Sequence, residues 1–139
     1  MRLNSAGRLG QAQLGVELLT TSSPPRAQAL ADYLHQLNQS RDSLDRSVYL
    51  GALRQIKEQY DAEQDQAFVL ADHDWHPGVI GLVAGRLVDK FHRPTVLIAL
   101  DPMGVKPGMG SGRSIEALPL YDALAHCQEW LLGFGGHAA

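Results

Sequence analysis

Residues 67–100 read AFVLADHDWHPGVIGLVAGRLVDKFHRPTVLIAL, and this stretch decides the fold. Ala67-Phe68-Val69-Leu70-Ala71 is a short apolar run stopped by polar Asp72-His73-Asp74. From Val79 to Phe91 the apolar positions Val79, Ile80, Val83, Leu87 and Val88 recur at helical spacing, with Gly81, Ala84 and Gly85 small enough for close packing. Pro94 to Leu100 is β-branched and apolar, with proline at its first position, where a missing N–H is tolerated. A strand, a helix and a strand in that order predict an α/β domain. Downstream, Asp101-Pro102-Met103-Gly104 reads as a turn, Met109 to Ser114 as a third strand, and Leu120 to Leu132 as a final helix.

Upstream of residue 67 the pattern is helical. The first ten residues, with Gly7 and Gly10, read as a polar loop leading into a short helix over Gln11–Leu19. Thr20 to Pro25 breaks it, and Ser22 or Ser23 is placed to cap a second helix that carries proline in its first turn. Leu30, Leu34, Leu37, Leu44 and Val48 give that helix one apolar face, up to about Tyr60. Gly51 is its expected interruption, and Gln55 to Gln66, rich in Gln, Asp and Glu, is the expected linker. The expected fold is therefore α/β: a long connecting helix followed by a small domain whose mostly parallel or mixed sheet is flanked by helices.

Composition narrows the classes. The 139 residues are 45% hydrophobic and 19% charged, the balance of a soluble globular chain that buries roughly two-thirds of its unfolded surface. No apolar run approaches the ~18 residues of a membrane span, and the N-terminus lacks the apolar core of a signal peptide, so the expectation is a cytoplasmic protein without a membrane partner. Cys127 is the single cysteine, which rules out an internal disulfide framework and reads as a small packing residue. Net charge is −3, and residues 1–65 carry 7 basic and 8 acidic groups against 5 and 7 in residues 66–139. A broad basic face for nucleic acid is thereby excluded, and any phosphate contact must be local.

Two glycine clusters offer such a contact. Gly110-Ser111-Gly112-Arg113-Ser114 combines close backbone approach with a hydroxyl and a forked cation, which suits a phosphate; the competing reading is a glycine-rich strand edge with one solvated arginine. Gly135-Gly136-His137 offers an imidazole on an open loop, or simply a helix C-terminus. Trp75-His76-Pro77-Gly78 precedes a helix whose first-turn N–H groups form an anion seat, although a strand-to-helix turn with the His76 ring bonded to backbone explains it better. Asp72, His73, Asp74 and His76 have metal-ligand chemistry without the usual pairing of histidines one helical turn apart, and read as a solvated turn. His126 and Cys127 are adjacent on a helix and point about 100° apart, so they do not form a nucleophile–base pair.

Together, Trp75-His76-Pro77-Gly78-Val79-Ile80-Gly81, Gly110-Ser111-Gly112-Arg113-Ser114 and Gly135-Gly136-His137 make a combination that resembles the RecJ family of single-stranded-DNA-specific exonucleases, within the DHH phosphoesterase superfamily. The likeness covers essentially the whole chain. It implies that residues 1–20, with Asn4, Gly7 and Arg8, are the end of a metal-binding DHH domain. Residues 21–65 would be a helical connector, and residues 66–139 a DHH-associated substrate-binding domain cut short at its C-terminus. It further implies a parent enzyme that degrades single-stranded DNA processively from 5′ to 3′, with Mn2+ or Mg2+, in recombination and repair.

The segment bearing the Asp-His-His signature is absent from these 139 residues. The expectation is therefore a fragment lacking its N-terminal DHH domain, without catalytic residues or metal ligands of its own and inactive alone. Its expected substrate contacts are Ser111, Gly112, Arg113, Ser114, Gly135, Gly136, His137, Arg8 and His76. Another DHH-associated phosphodiesterase acting on oligoribonucleotides or small nucleotides, or a non-catalytic nucleic-acid-binding module, remain the alternatives.

Overall fold

The structure, a computed structural model, describes residues 2–136, with side chains from Asn4 onward. Helices α1 (Arg2–Arg8), α2 (Ala12–Thr20) and α3 (Pro24–Gln59) are followed by strand β1 (Phe68–Asp72), helix α4 (Pro77–Phe91), strands β2 (Thr95–Ala99) and β3 (Met109–Arg113), helix α5 (Leu120–His126) and a 3-10 turn at Gln128–Trp130. The sheet has the order β1-β2-β3. β1 and β2 are parallel, with Leu70 opposite Leu97, and β3 runs antiparallel to β2, with Ser111 opposite Leu97 and Arg113 opposite Thr95. The α/β class and the mixed sheet expected from residues 67–114 are what the chain forms.

The core lies between one face of this sheet and two helices. Phe68 and Leu70 of β1 and Leu97 and Ala99 of β2 meet Val79, Ile80, Val83, Ala84 and Leu87 of α4, and Val48, Ala52 and Ile56 of α3 complete the cluster. Alternation along the strands against a single apolar face on each helix is what the two periodicities require. Phe68 is wholly buried and sits edge-on between Tyr60 and Phe91, with ring centroids 5.3 and 5.5 Å away. The Tyr60 hydroxyl donates to the Val69 carbonyl and accepts from the Val69 N–H, which blocks the outer edge of β1.

Helix α3 is 36 residues long, about 54 Å at 1.5 Å per residue, and it serves two packing regions. Its C-terminal half belongs to the α/β core, while Leu30 and Leu34 are buried toward its N-terminal end, where α3 packs with α1 and α2. There the buried Ser5 hydroxyl donates to Asn38 Oδ1 at 2.8 Å, and Ala6 is wholly buried.

Several local expectations are corrected. Residues 2–8 form a helix instead of a loop, because tertiary contact of Ser5 and Ala6 supplies what seven residues without apolar periodicity lack. Gly51 does not interrupt α3. A Cβ there would lie 3.3 Å from the indole Nε1 of Trp75, so this glycine makes room for a buried tryptophan. The linker begins only after Gln59: Ile56 is core, and Gln55 Nε2 donates to the Ala71 carbonyl. Ser23 is the N-cap of α3, but its side chain makes no capping bond. The last helix stops at His126 instead of Leu132, since none of its residues is buried and no packing extends it.

Candidate nucleic-acid interface

The residues with phosphate-binding chemistry gather around the first two turns of α4. His76 is the N-cap of this helix, and its Nδ1 accepts from the Gly78 N–H at 3.0 Å. That bond leaves the ring proton on Nε2. Pro77, in the first turn, has no N–H to satisfy, and the Val79 N–H donates to the His76 carbonyl. The Gly78 and Val79 N–H groups that the sequence offers to an anion are thus engaged within the chain.

Two glycines one turn apart then admit two other elements to the same helix face. At Gly78 a Cβ would fall 1.9 Å from the Arg8 carbonyl oxygen, and the Arg8 Nη1 donates back to the Gly78 carbonyl over a long 3.4 Å. At Gly81 a Cβ would lie 2.8 Å from Ser111 Oγ and 3.3 Å from Arg113 Nη2. Arg8 at the C-terminal end of α1 and the Ser111/Arg113 face of β3 therefore flank one stripe of α4. Arg113 Nη1 donates to the Gly112 carbonyl at 2.7 Å and, more weakly, to Ser111 Oγ at 3.4 Å, which holds the guanidinium beside the hydroxyl. Both arginines are exposed, and among the described residues neither is paired with a carboxylate. Arg8 also lines an open hollow between α1 and α2 with Asn4, Gly7, Gly15 and Val16.

The other expected contacts are placed elsewhere or act locally. Gly112 faces away from α4, where Leu120 of α5 and Val96 fill the space a side chain would take. The Ser114 hydroxyl donates to the Leu118 carbonyl and closes the loop after β3. Gly135 and Gly136 are exposed, with open space where side chains would stand; Phe134 before them lies against Tyr121, 5.2 Å between centroids. His137 lies outside the described residues. Cys127 is exposed, which corrects its reading as a packing residue; it follows a helix that buries nothing. Sequence reasoning reads Gly81 as a close-packing position and Gly78 as part of a turn, but does not assign either to the face they assemble. Their signal was two glycines three apart in a helix otherwise rich in apolar residues.

No group of three or more His, Cys, Asp or Glu among the described residues is disposed to hold a metal ion. Three of the four candidates near α4 are individually occupied. Asp72 accepts from the Asp74 N–H and from Gln55 Nε2, His73 Nδ1 bonds the Asp101 carbonyl, and His76 caps α4. Their set does not fit a divalent cation. No described helix is long and apolar enough to cross a membrane.

Residues 64–139 match the DHHA1 domain family. Over 144 aligned residues the chain is 41% identical to the single-stranded-DNA-specific exonuclease RecJ of Haemophilus influenzae, covering 99% of this chain and 24% of that protein. The RecJ of Thermus thermophilus is 38% identical over 136 residues, covering 98% of this chain and 19% of its own length. The crystal structure of Thermus thermophilus RecJ in complex with Mg2+ superposes with a TM-score of 0.83 at 37% identity, over 99% of this chain and 20% of that one. A crystal structure of exonuclease RecJ bound to manganese gives the same TM-score at 36% identity, covering 99% of this chain and 32% of that chain. The chain thus spans about a quarter or less of the length of these curated relatives.

Proposed function

This chain belongs to the DHHA1 domain family, and on that premise we propose that it is the strand-holding portion of a RecJ-like 5′–3′ single-stranded-DNA exonuclease. Residues 1–20 are assigned as the end of the catalytic DHH domain, residues 21–65 as the connector, and residues 66–139 as the substrate-binding domain. The observation that carries this reading is the approach of Arg8 and of Ser111 with Arg113 to successive glycines of α4. Two exposed guanidinium groups with no carboxylate partner among the described residues, and a hydroxyl on the same helix face, suit a backbone phosphate, which takes charge-assisted hydrogen bonds from several donors at once.

His76 supports the face by capping α4, and Gly112 lets β3 lie against Leu120. Gly135, Gly136 and His137 are assigned to the same DNA strand on motif resemblance alone, and Ser114 as a loop-closing residue beside it. In the parent enzyme Mn2+ or Mg2+ supplies activated water and charge stabilisation at phosphorus. The residues of this chain bind and orient the strand.

Fluorescence anisotropy with labelled single-stranded DNA, duplex DNA and a dinucleotide, each with and without Mn2+, tests the proposal. Weak, salt-sensitive binding of the single strand without hydrolysis is expected. Tighter binding of the dinucleotide, or cleavage of any probe by the purified chain, contradicts it.

A further inference from the structure

Gly78 has no conformational reason to be glycine. Among the described residues positive φ is confined to Gly10, Gly104 and His92, so alanine would suit the backbone of Gly78 and favour the helix by up to about 1 kcal/mol. What excludes alanine is the Arg8 carbonyl, 1.9 Å from the position of a Cβ. Unlike a side-chain tip, a main-chain carbonyl cannot rotate away, and this one closes a helix whose next residues are tied back by Leu9 N–H to Ser5, Gly10 N–H to Gly7 and Gln11 N–H to Ala6. Gly85, two turns along the same helix, meets nothing. The contact is also electrostatically matched, since the carbonyl end of α1 abuts the amide end of α4.

We infer that Gly78 is a positioning residue: its missing side chain seats the Arg8 main chain on α4, so that the Arg8 guanidinium reaches the strand held by Ser111 and Arg113. This rests on the strand-holding function proposed above. Without the seat, α1 moves off α4 and Arg8 is lost to the site while β3 keeps its half. The core that α4 shares with the sheet holds no residue of α1, so the substitution leaves the α/β fold in place.

The test is a double-mutant cycle on binding of a labelled oligothymidylate, using Arg8→Ala, Gly78→Ala, their combination, Arg113→Ala, and Gly85→Ala as control. Arg8→Ala and Gly78→Ala are each expected to weaken binding about tenfold, as loss of charge-assisted contacts does. The double variant should bind no worse than Gly78→Ala, Arg113→Ala should weaken binding further in either background, and Gly85→Ala should change nothing. Additive losses from Arg8→Ala and Gly78→Ala overturn the inference. If Arg113→Ala weakens binding and Arg8→Ala does not, the inference alone is overturned. If neither arginine matters, the strand-holding reading falls with it.

A second measurement needs no substitution at Gly78. In the unaltered chain, the oligonucleotide should slow hydrogen exchange at Leu9, Gly10 and Gln11 together with the amides of β3. Protection of β3 with unchanged exchange in α1 overturns the inference.

Discussion

Gly81→Ala separates stability from binding. The new Cβ would stand 2.8 Å from Ser111 Oγ and 3.3 Å from Arg113 Nη2. Both are ends of side chains with freedom to rotate, so the fold absorbs the methyl group by moving the hydroxyl and guanidinium, at little cost to the backbone. Against that cost stands the helix preference for alanine over glycine, about 1 kcal/mol. The expected result is a chain as stable as the original or up to about 1 kcal/mol more so, a rise of up to ~4 °C in Tm. Binding moves the other way. Displacing Ser111 and Arg113 removes one or two phosphate hydrogen bonds worth about 1.5–3 kcal/mol, so affinity for single-stranded DNA should fall at least about tenfold. Thermal denaturation by circular dichroism and fluorescence anisotropy on the same preparations read both quantities. A stabilised variant with unchanged affinity would refute the placement of the grip on this face of α4. A variant that loses most of its stability would refute the claim that only side-chain ends meet the methyl group.

Three further outcomes test the packing and its electrostatics. Phe68→Ala, which empties a wholly buried ring site between Tyr60 and Phe91, should cost about 3–5 kcal/mol in urea denaturation. Ser5→Ala removes the half-buried hydrogen bond to Asn38 and should cost roughly 1–2 kcal/mol, with faster amide exchange confined to α1. Glu17 is partly exposed on the surface of α2, and its hydrogen bond from Arg26, with the Coulombic attraction of that guanidinium, holds its carboxyl below the usual carboxylate range. Because the folded value is the lower one, the contact is fully present above the ordinary carboxylate range and is lost as pH falls through the folded value. In an NMR pH titration, Arg26→Ala should raise the Glu17 midpoint, and high salt should shrink the difference.

Legibility in the sequence followed the source of each element's stability. The β1-α4-β2 unit could be read because Phe68, Leu70, Val79, Val83, Leu87 and Leu97 bury themselves at the period of their own element. The long α3 was legible for the same reason through Leu30, Leu34 and Val48. Helix α1 was not, since it buries Ser5 and Ala6 against a distant part of the chain, and neither residue marks a helix by type. Gly51 misled because a helical glycine costs free energy locally; its benefit, space for Trp75, is visible only in three dimensions. At the candidate interface, the chemistry of Ser111 and Arg113 was apparent from residue type. The glycines of β3 suggested the open backbone, whereas the opening beside Ser111 and Arg113 belongs to Gly81 on the facing helix.

The most direct test of the account is the salt dependence of single-stranded DNA binding by this chain, with and without Arg113→Ala. If Arg113 neutralises a phosphate, binding should weaken as salt rises, and the substitution should make the slope of log K against log salt shallower by about 0.7, the value for one phosphate contact on a single strand. Identical slopes for the two proteins, or binding indifferent to salt, would contradict the claim that this face holds a DNA backbone.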